Sequence, residues 1–160
     1  MAELLLAYSP LQSGYSVDHA ARVEEQILAH GLPRYRRVAH GGPHKVVVNW
    51  KTKARGYEYL MSFYNQWADN PNQPFKALLL IGNGRLEEYE CTFAGGQPPK
   101  LNGQNGPNFT ISAEFYANPL PRIVDWEKFV VALGKNDPFE AQNALEKLVN
   151  KTLPELWGNL

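Results

Sequence analysis

Sixteen basic and sixteen acidic residues cancel in a chain of 160 residues, so no global field draws it to nucleic acid or to an anionic membrane. The length suits one domain with an appendage, enough to bury about two-thirds of the surface exposed by the unfolded chain. The one cysteine, Cys91, excludes an intramolecular disulfide and fits a reducing compartment.

Residues 1–44 mix a short apolar strand over 4–8, a second strand over 22–28, and loop-like connections. Gly31, Pro33, Gly41, Gly42 and Pro43 punctuate this zone too often for a long helix. The patch Leu4-Leu5-Leu6-Ala7 follows Glu3 with no basic segment before it. It is too short for the core of a signal peptide or for a bilayer span. The chain is therefore expected to be soluble, unexported and free of membrane contact.

The middle zone carries the clearest pattern. Val46, Val48 and Trp50 alternate with Lys45, Asn49 and Lys51, the period of a half-buried strand. A helix over 54–68 follows, with Tyr57, Leu60, Met61, Tyr64 and Trp67 along one face. Residues 75–81 are nearly continuous in apolar side chains, as in a strand covered on both faces. Asn83-Gly84 predicts a two-residue type I′ hairpin turn, which needs positive φ at both positions. A strand over 86–93 follows, then a stretch over 94–107 rich in Gly, Asn, Gln and Pro that reads as a long exposed loop. The last strand, 109–116, alternates Phe109, Ile111, Ala113 and Phe115 with Thr110, Ser112, Glu114 and Tyr116.

From 119 the character changes. Pro119 and Pro121 break the sheet, and Asp125 is placed to cap a helix running through Leu133 and stopping at Gly134. Asp137-Pro138-Phe139-Glu140 opens a second helix, with Leu145, Leu148 and Val149 on its apolar face. Leu156 and Trp157 follow Pro154. The reading is α+β: residues 1–118 form a mainly antiparallel sheet or sandwich with one packed helix, and 119–160 a C-terminal helical arm.

Residue types that perform chemistry do not converge. His30, His40 and His44 offer imidazoles for zinc, but Gly41-Gly42-Pro43 is a poor ligand scaffold and no cysteine joins it. Gly82-Asn83-Gly84 lacks the third glycine and the helix of a dinucleotide fingerprint. Cys91 shares a strand face with Tyr89 and Phe93, which makes it a core thiol rather than a nucleophile. Glu88 and Glu90 share a solvated face. No catalytic, cofactor or metal site is expected. Arg34, Arg36 and Arg37, with Tyr35 among them, are left as candidate interface residues, contacting either phosphate or protein. Trp126, Phe129 and Trp157 in the arm are candidate aromatic anchors.

The order of these features resembles the small minor tail and distal tail proteins of tailed bacteriophages. The segments that carry the resemblance are Gly14-Tyr15-Ser16, the strand from Val46 to Trp50, the aromatic helix from Tyr57 to Trp67, Pro74-Phe75, Tyr89 to Phe93, and Phe109 to Phe115. It covers about residues 13 to 118. Members of that family end soon after the last strand, whereas this chain continues for some forty residues beyond Leu120. The resemblance implies a β-sandwich-like virion subunit, assembled in the host bacterial cytoplasm, that joins copies of itself in a ring or lattice and contacts other virion proteins. A capsid decoration or cement protein is the alternative within that class. A nucleic-acid-binding module using Arg34, Arg36 and Arg37 is the alternative outside it, against which the zero net charge argues.

Overall fold

The structure, a computed structural model, describes residues 3–38 and 41–135. The chain divides into two compact units, Met1–Leu120 and Pro121–Leu160. The first holds β1 (Ser16–Asp18), β2 (Val23–Gln26), β3 (Arg34–Arg37), β4 (His44–Thr52), α1 (Ala54–Asp69), β5 (Phe75–Leu79), β6 (Glu87–Phe93), β7 (Lys100–Asn105) and β8 (Asn108–Ala117). The second holds α2 (Val124–Lys135).

The class is α+β, with a mainly antiparallel sheet. Five strands lie in the order β1-β4-β8-β6-β5, and β7 also pairs with β8 to make six. Alternation in β4 and β8 dictates the arrangement. Val46, Val48 and Trp50 are buried, as are Ile111, Ala113, Phe115 and Ala117, so the two strands share a face and pair in unbroken register from His44↔Ala117 to Thr52↔Phe109. On its other side β8 meets β7 along its first half and β6 along its last three residues. β1 lies on the outer side of β4.

Helix α1 covers the apolar face. Leu60, Phe63 and Trp67 are buried at helical spacing, and Phe63 meets Phe75 edge-on, with ring centroids 5.2 Å apart. The helix has no side-chain cap bond at Lys53 and no acidic residue in its first turn. Packing of this face, rather than its ends, therefore holds it in place.

Several elements differ from the sequence expectation. Residues 4–8 make only one parallel bridge, Leu5↔Lys76, with Leu6 N–H to the Lys76 carbonyl and Lys76 N–H to that of Leu4, both 2.8 Å. Pairing stops because Ala7 N–H donates to the Tyr59 hydroxyl (3.0 Å), and the Tyr8 carbonyl accepts from Trp50 Nε1 (3.3 Å). The second strand is shorter than 22–28, spanning Val23–Gln26.

The β5–β6 hairpin is present, but residues 80–86 connect it in place of a two-residue turn. Tyr15 takes both backbone groups of Leu80: its hydroxyl donates to the carbonyl (2.9 Å) and accepts from the N–H (3.2 Å). Asn83 then organises a local turn, accepting from Arg85 N–H at 3.2 Å and donating to Glu87 Oε1 at 2.7 Å. Tyr15 follows Gly14, whose φ is +73° and where a Cβ would stand 2.5 Å from Asn49 Nδ2. The Gly14-Tyr15 pair thus ties β4 to the end of β5, and only glycine fits the first position without strain.

Residues 94–107 are not one loop. A single helical turn, Ala94–Gly96, leads to β7, whose register on β8 slips between Leu101 and Gly103. Gly106, at φ +58°, reverses the chain into β8. Every residue of β7 is exposed, so its side chains lack the alternation that would mark a strand, and backbone pairing alone places it.

In the second unit α2 begins one residue before Asp125. Glu127 N–H bonds the Ile123 carbonyl at 3.1 Å, which puts Asp125 in the first turn, where its charge suits the helix dipole. Gly134 lies inside the helix, which runs to Lys135. The expected second arm helix, with Leu145, Leu148 and Val149, and Trp157 beyond it lie outside the described residues.

Candidate assembly surface

β2 and β3 form a separate two-stranded ribbon with the register Val23↔Arg37, Glu24↔Arg36, Glu25↔Tyr35 and Gln26↔Arg34. All eight strand residues are exposed. Strand alternation divides the basic cluster that looked continuous in the sequence. Arg34 and Arg36 share a face with Glu24 and Gln26, whereas Arg37 shares the other with Tyr35, Glu25 and Val23. Arg36 Nη2 is 2.7 Å from Glu24 Oε2, and the Tyr35 hydroxyl donates to Glu25 Oε1 at 3.4 Å. Arg34 and Arg37 have no ion-pair partner among the described residues. Two glutamates lie among three arginines, so the ribbon offers no unbroken basic strip with an aromatic platform.

Its apolar residues are the feature that sequence reading missed. Ile27 and Leu32 are 84% and 88% exposed at the tip, and Tyr35 is 66% exposed. The signal was available: two short strand-like stretches flank Ala29-His30-Gly31, with large apolar residues beside the turn and no apolar alternation to bury them.

The root of the ribbon is held by His44. Its Nδ1 accepts from Ala20 N–H at 3.0 Å, and the His19 ring meets it edge-on at 5.4 Å. Burial, and next the neighbouring His19, push the His44 imidazole below its ordinary value. A protonated Nδ1 cannot accept the Ala20 bond. Because the folded group is the harder to protonate, it contributes stability that is complete above the ordinary histidine value near 6.5. That stability is lost as pH falls from there through the depressed folded value. Amide exchange at Ala20 should accelerate over that interval in the wild type, relative to the intrinsic rate, and show no such step in His44→Gln.

Other candidate chemistry falls away on geometry. Cys91 is fully buried, and burial, with Glu90 next, raises its thiol to about 12, which leaves it protonated and inert. His30 is exposed, His44 is engaged by Ala20, and His40 lies outside the described residues. Glu88 faces outward and pairs with Lys76 Nζ at 3.0 Å. Among the described residues no three His, Cys, Asp or Glu side chains converge as metal ligands, and no helix is long and apolar enough to cross a membrane.

Two further surfaces are shaped for contact. A cleft of about 560 Å³ lies between Val47, Ser112 and Glu114 of the strands and Ala94, Gln97, Pro98, Pro99 and Lys100 at and after the end of β6. In the second unit, Trp126 and Phe129 are half exposed with ring centroids 5.5 Å apart, and no residue of α2 is buried. Arg122 grips Glu127 through both Nε (2.8 Å) and Nη2, fixing the first turn of that helix. Trp157 lies outside the described residues. No protein-family model matches the chain, and no curated protein matches it.

Proposed function

We propose that the chain is a structural subunit of a tailed-bacteriophage virion, placed in the tail or at the tail-to-head junction. It acts through contacts with copies of itself and with other virion proteins, and catalyses no reaction. The β2–β3 ribbon carries this reading. An isolated two-stranded ribbon is marginal in water, and this one places Ile27, Leu32 and Tyr35 in solvent. A monomer gains nothing from such a surface, whereas an assembled subunit covers it. The exposed aromatic face of α2 supports the same reading, because a helix of 12 residues with no buried side chain is not stable by itself. The sandwich-like organisation of the resembling family belongs to this proposal, with the six-stranded sheet as one layer. The nucleic-acid reading is weaker, since Glu24 lies opposite Arg36 and Glu25 opposite Tyr35, among the arginines.

Mass spectrometry and labelling of purified particles test the assignment: the chain should be found at a tail position, with each subunit burying more than about 1,000 Å² against its partners. Its presence on the head instead would favour a capsid decoration protein, and its absence from particles would end the reading. Truncation after Arg122 should leave a folded sheet unit that particles take up at least tenfold less well. Unfolding of the truncated chain would show that the arm completes the core.

A further inference from the structure

The dipeptide Asn-Gly occurs three times, at Asn83-Gly84, Asn102-Gly103 and Asn105-Gly106. Such a pair is prone to close on itself, because glycine has no Cβ to keep its backbone nitrogen from the asparagine side chain. The fold treats the three differently. The Asn83 amide is held at both ends, Oδ1 by Arg85 N–H at 3.2 Å and Nδ2 by Glu87 Oε1 at 2.7 Å. Asn102 lies at the register slip of β7, but Gly103 after it is paired in the ladder opposite Thr110. Asn105 closes the ladder opposite Asn108, and Gly106 stands beyond it in the turn. Among the described residues neither the Gly106 N–H nor the Asn105 side chain has a hydrogen-bond partner. Nothing lies within 4 Å of where a Cβ on Gly106 would stand.

We propose that Asn105-Gly106 is a self-modification site, at which the chain deamidates through a cyclic imide and loosens the β7–β8 hairpin. Solvent base takes the proton of the Gly106 nitrogen, which then bonds to Asn105 Cγ. The Cγ–Nδ2 bond breaks, and Nδ2 leaves as ammonia with a proton from water. Water next opens the ring at either of its carbonyl carbons, leaving aspartate or isoaspartate. Both products place a negative charge on a chain whose sixteen basic and sixteen acidic residues cancel. Isoaspartate also routes the main chain through the side chain, one carbon longer.

That extra carbon falls where the hairpin tolerates it least. β7 buries no side chain, so backbone pairing alone places it. Its register is set by the short turn after Asn105, with Gly106 at φ +58°. A longer main chain at this point moves β7 out of step with β8, and no buried side chain holds it back. The modification goes beyond the assembly reading and does not depend on it.

Peptide mapping tests the site on the full-length chain, aged at mildly alkaline pH in heavy-oxygen water, which labels each opened imide. Cleavage after Lys and Arg separates Asn83 from the other two, and fragmentation of peptide 101–122 separates Asn102 from Asn105. In the folded chain Asn105 should convert at least about tenfold faster than Asn83 or Asn102. The three rates should draw together in urea, where side-chain bonds and ladder are gone. Asn105→Gln, with unchanged circular dichroism, should remove most of the label. In the isoaspartate fraction, amide exchange over 100–105 should accelerate while that of β4 stays the same. Conversion of Asn83 or Asn102 as fast as that of Asn105 in the folded chain would overturn the assignment. So would an Asn105 that is stable when folded and labile in urea. Unchanged exchange in β7 of the isoaspartate fraction would overturn the loosening of the hairpin.

Discussion

Phe93→Ala should cost the first unit about 3–5 kcal/mol of stability, the range for removing a buried aromatic ring. Phe93 is the hub of the core. Its ring centroid lies within 5.1–5.2 Å of those of Tyr64, Trp67, Phe75 and Phe115, and 6.4 Å from that of Phe63. It therefore joins α1 to β5 and β8 in one cluster, and its removal leaves a cavity that rigid aromatic neighbours cannot refill. Urea denaturation followed by tryptophan fluorescence measures the change as a lower midpoint at constant slope. Phe129→Ala, on the exposed α2, should stay within about 0.5 kcal/mol in the same assay. Equal effects from the two would mean that the aromatic cluster is not the centre of the core.

Gly56→Ala should destabilise by about 2–3 kcal/mol, the cost of overpacking. In an ordinary helix the same change stabilises by up to about 1 kcal/mol. The sign reverses because a Cβ on Gly56 would stand 1.8 Å from Thr52 Oγ1, 2.7 Å from its Cβ and 2.9 Å from its Cγ2. No rotation of Thr52 relieves the contact with its Cβ, so the first turn of α1 must move off the end of β4. Adding Thr52→Ala removes two of the three contacts and should restore part of the loss. A double-mutant cycle measures that coupling, and a coupling near zero would show that β4 and α1 do not meet there.

What the sequence made legible follows from how each element is held. β4, α1 and β8 bury one face each, so their side chains carry the period of the backbone, and the expected strands and helix match the structure closely. Lys100 to Asn105 bury nothing, so the strand they form left no trace in their polarity. The Asn83-Gly84 turn was misjudged because its length depends on Tyr15, 65 residues from Leu80 in sequence, and local turn chemistry cannot register so distant a partner. The arginine cluster failed differently. Read as a string, Arg34 to Arg37 look continuous; folded as a strand, alternation and two facing glutamates divide them. The candidate site was therefore half legible, its charged residues visible and its apolar tip overlooked.

The central place of β8 has a consequence for the time course of synthesis. Among the described residues β8 alone pairs with all of β4, β6 and β7, and it is the last described strand of the first unit to leave the ribosome. Until residue 117 emerges, β4 lacks its long partner and has only the short β1 to pair with. α1 in turn has no complete apolar floor. The unit must then form at once from contacts far apart in the chain, which makes its folding slow relative to helical proteins of its size. While it waits, Val46, Val48 and Phe75 are exposed beside copies from neighbouring ribosomes. A chain stalled before β8 thus presents unpaired strand edges, the state most open to aggregation.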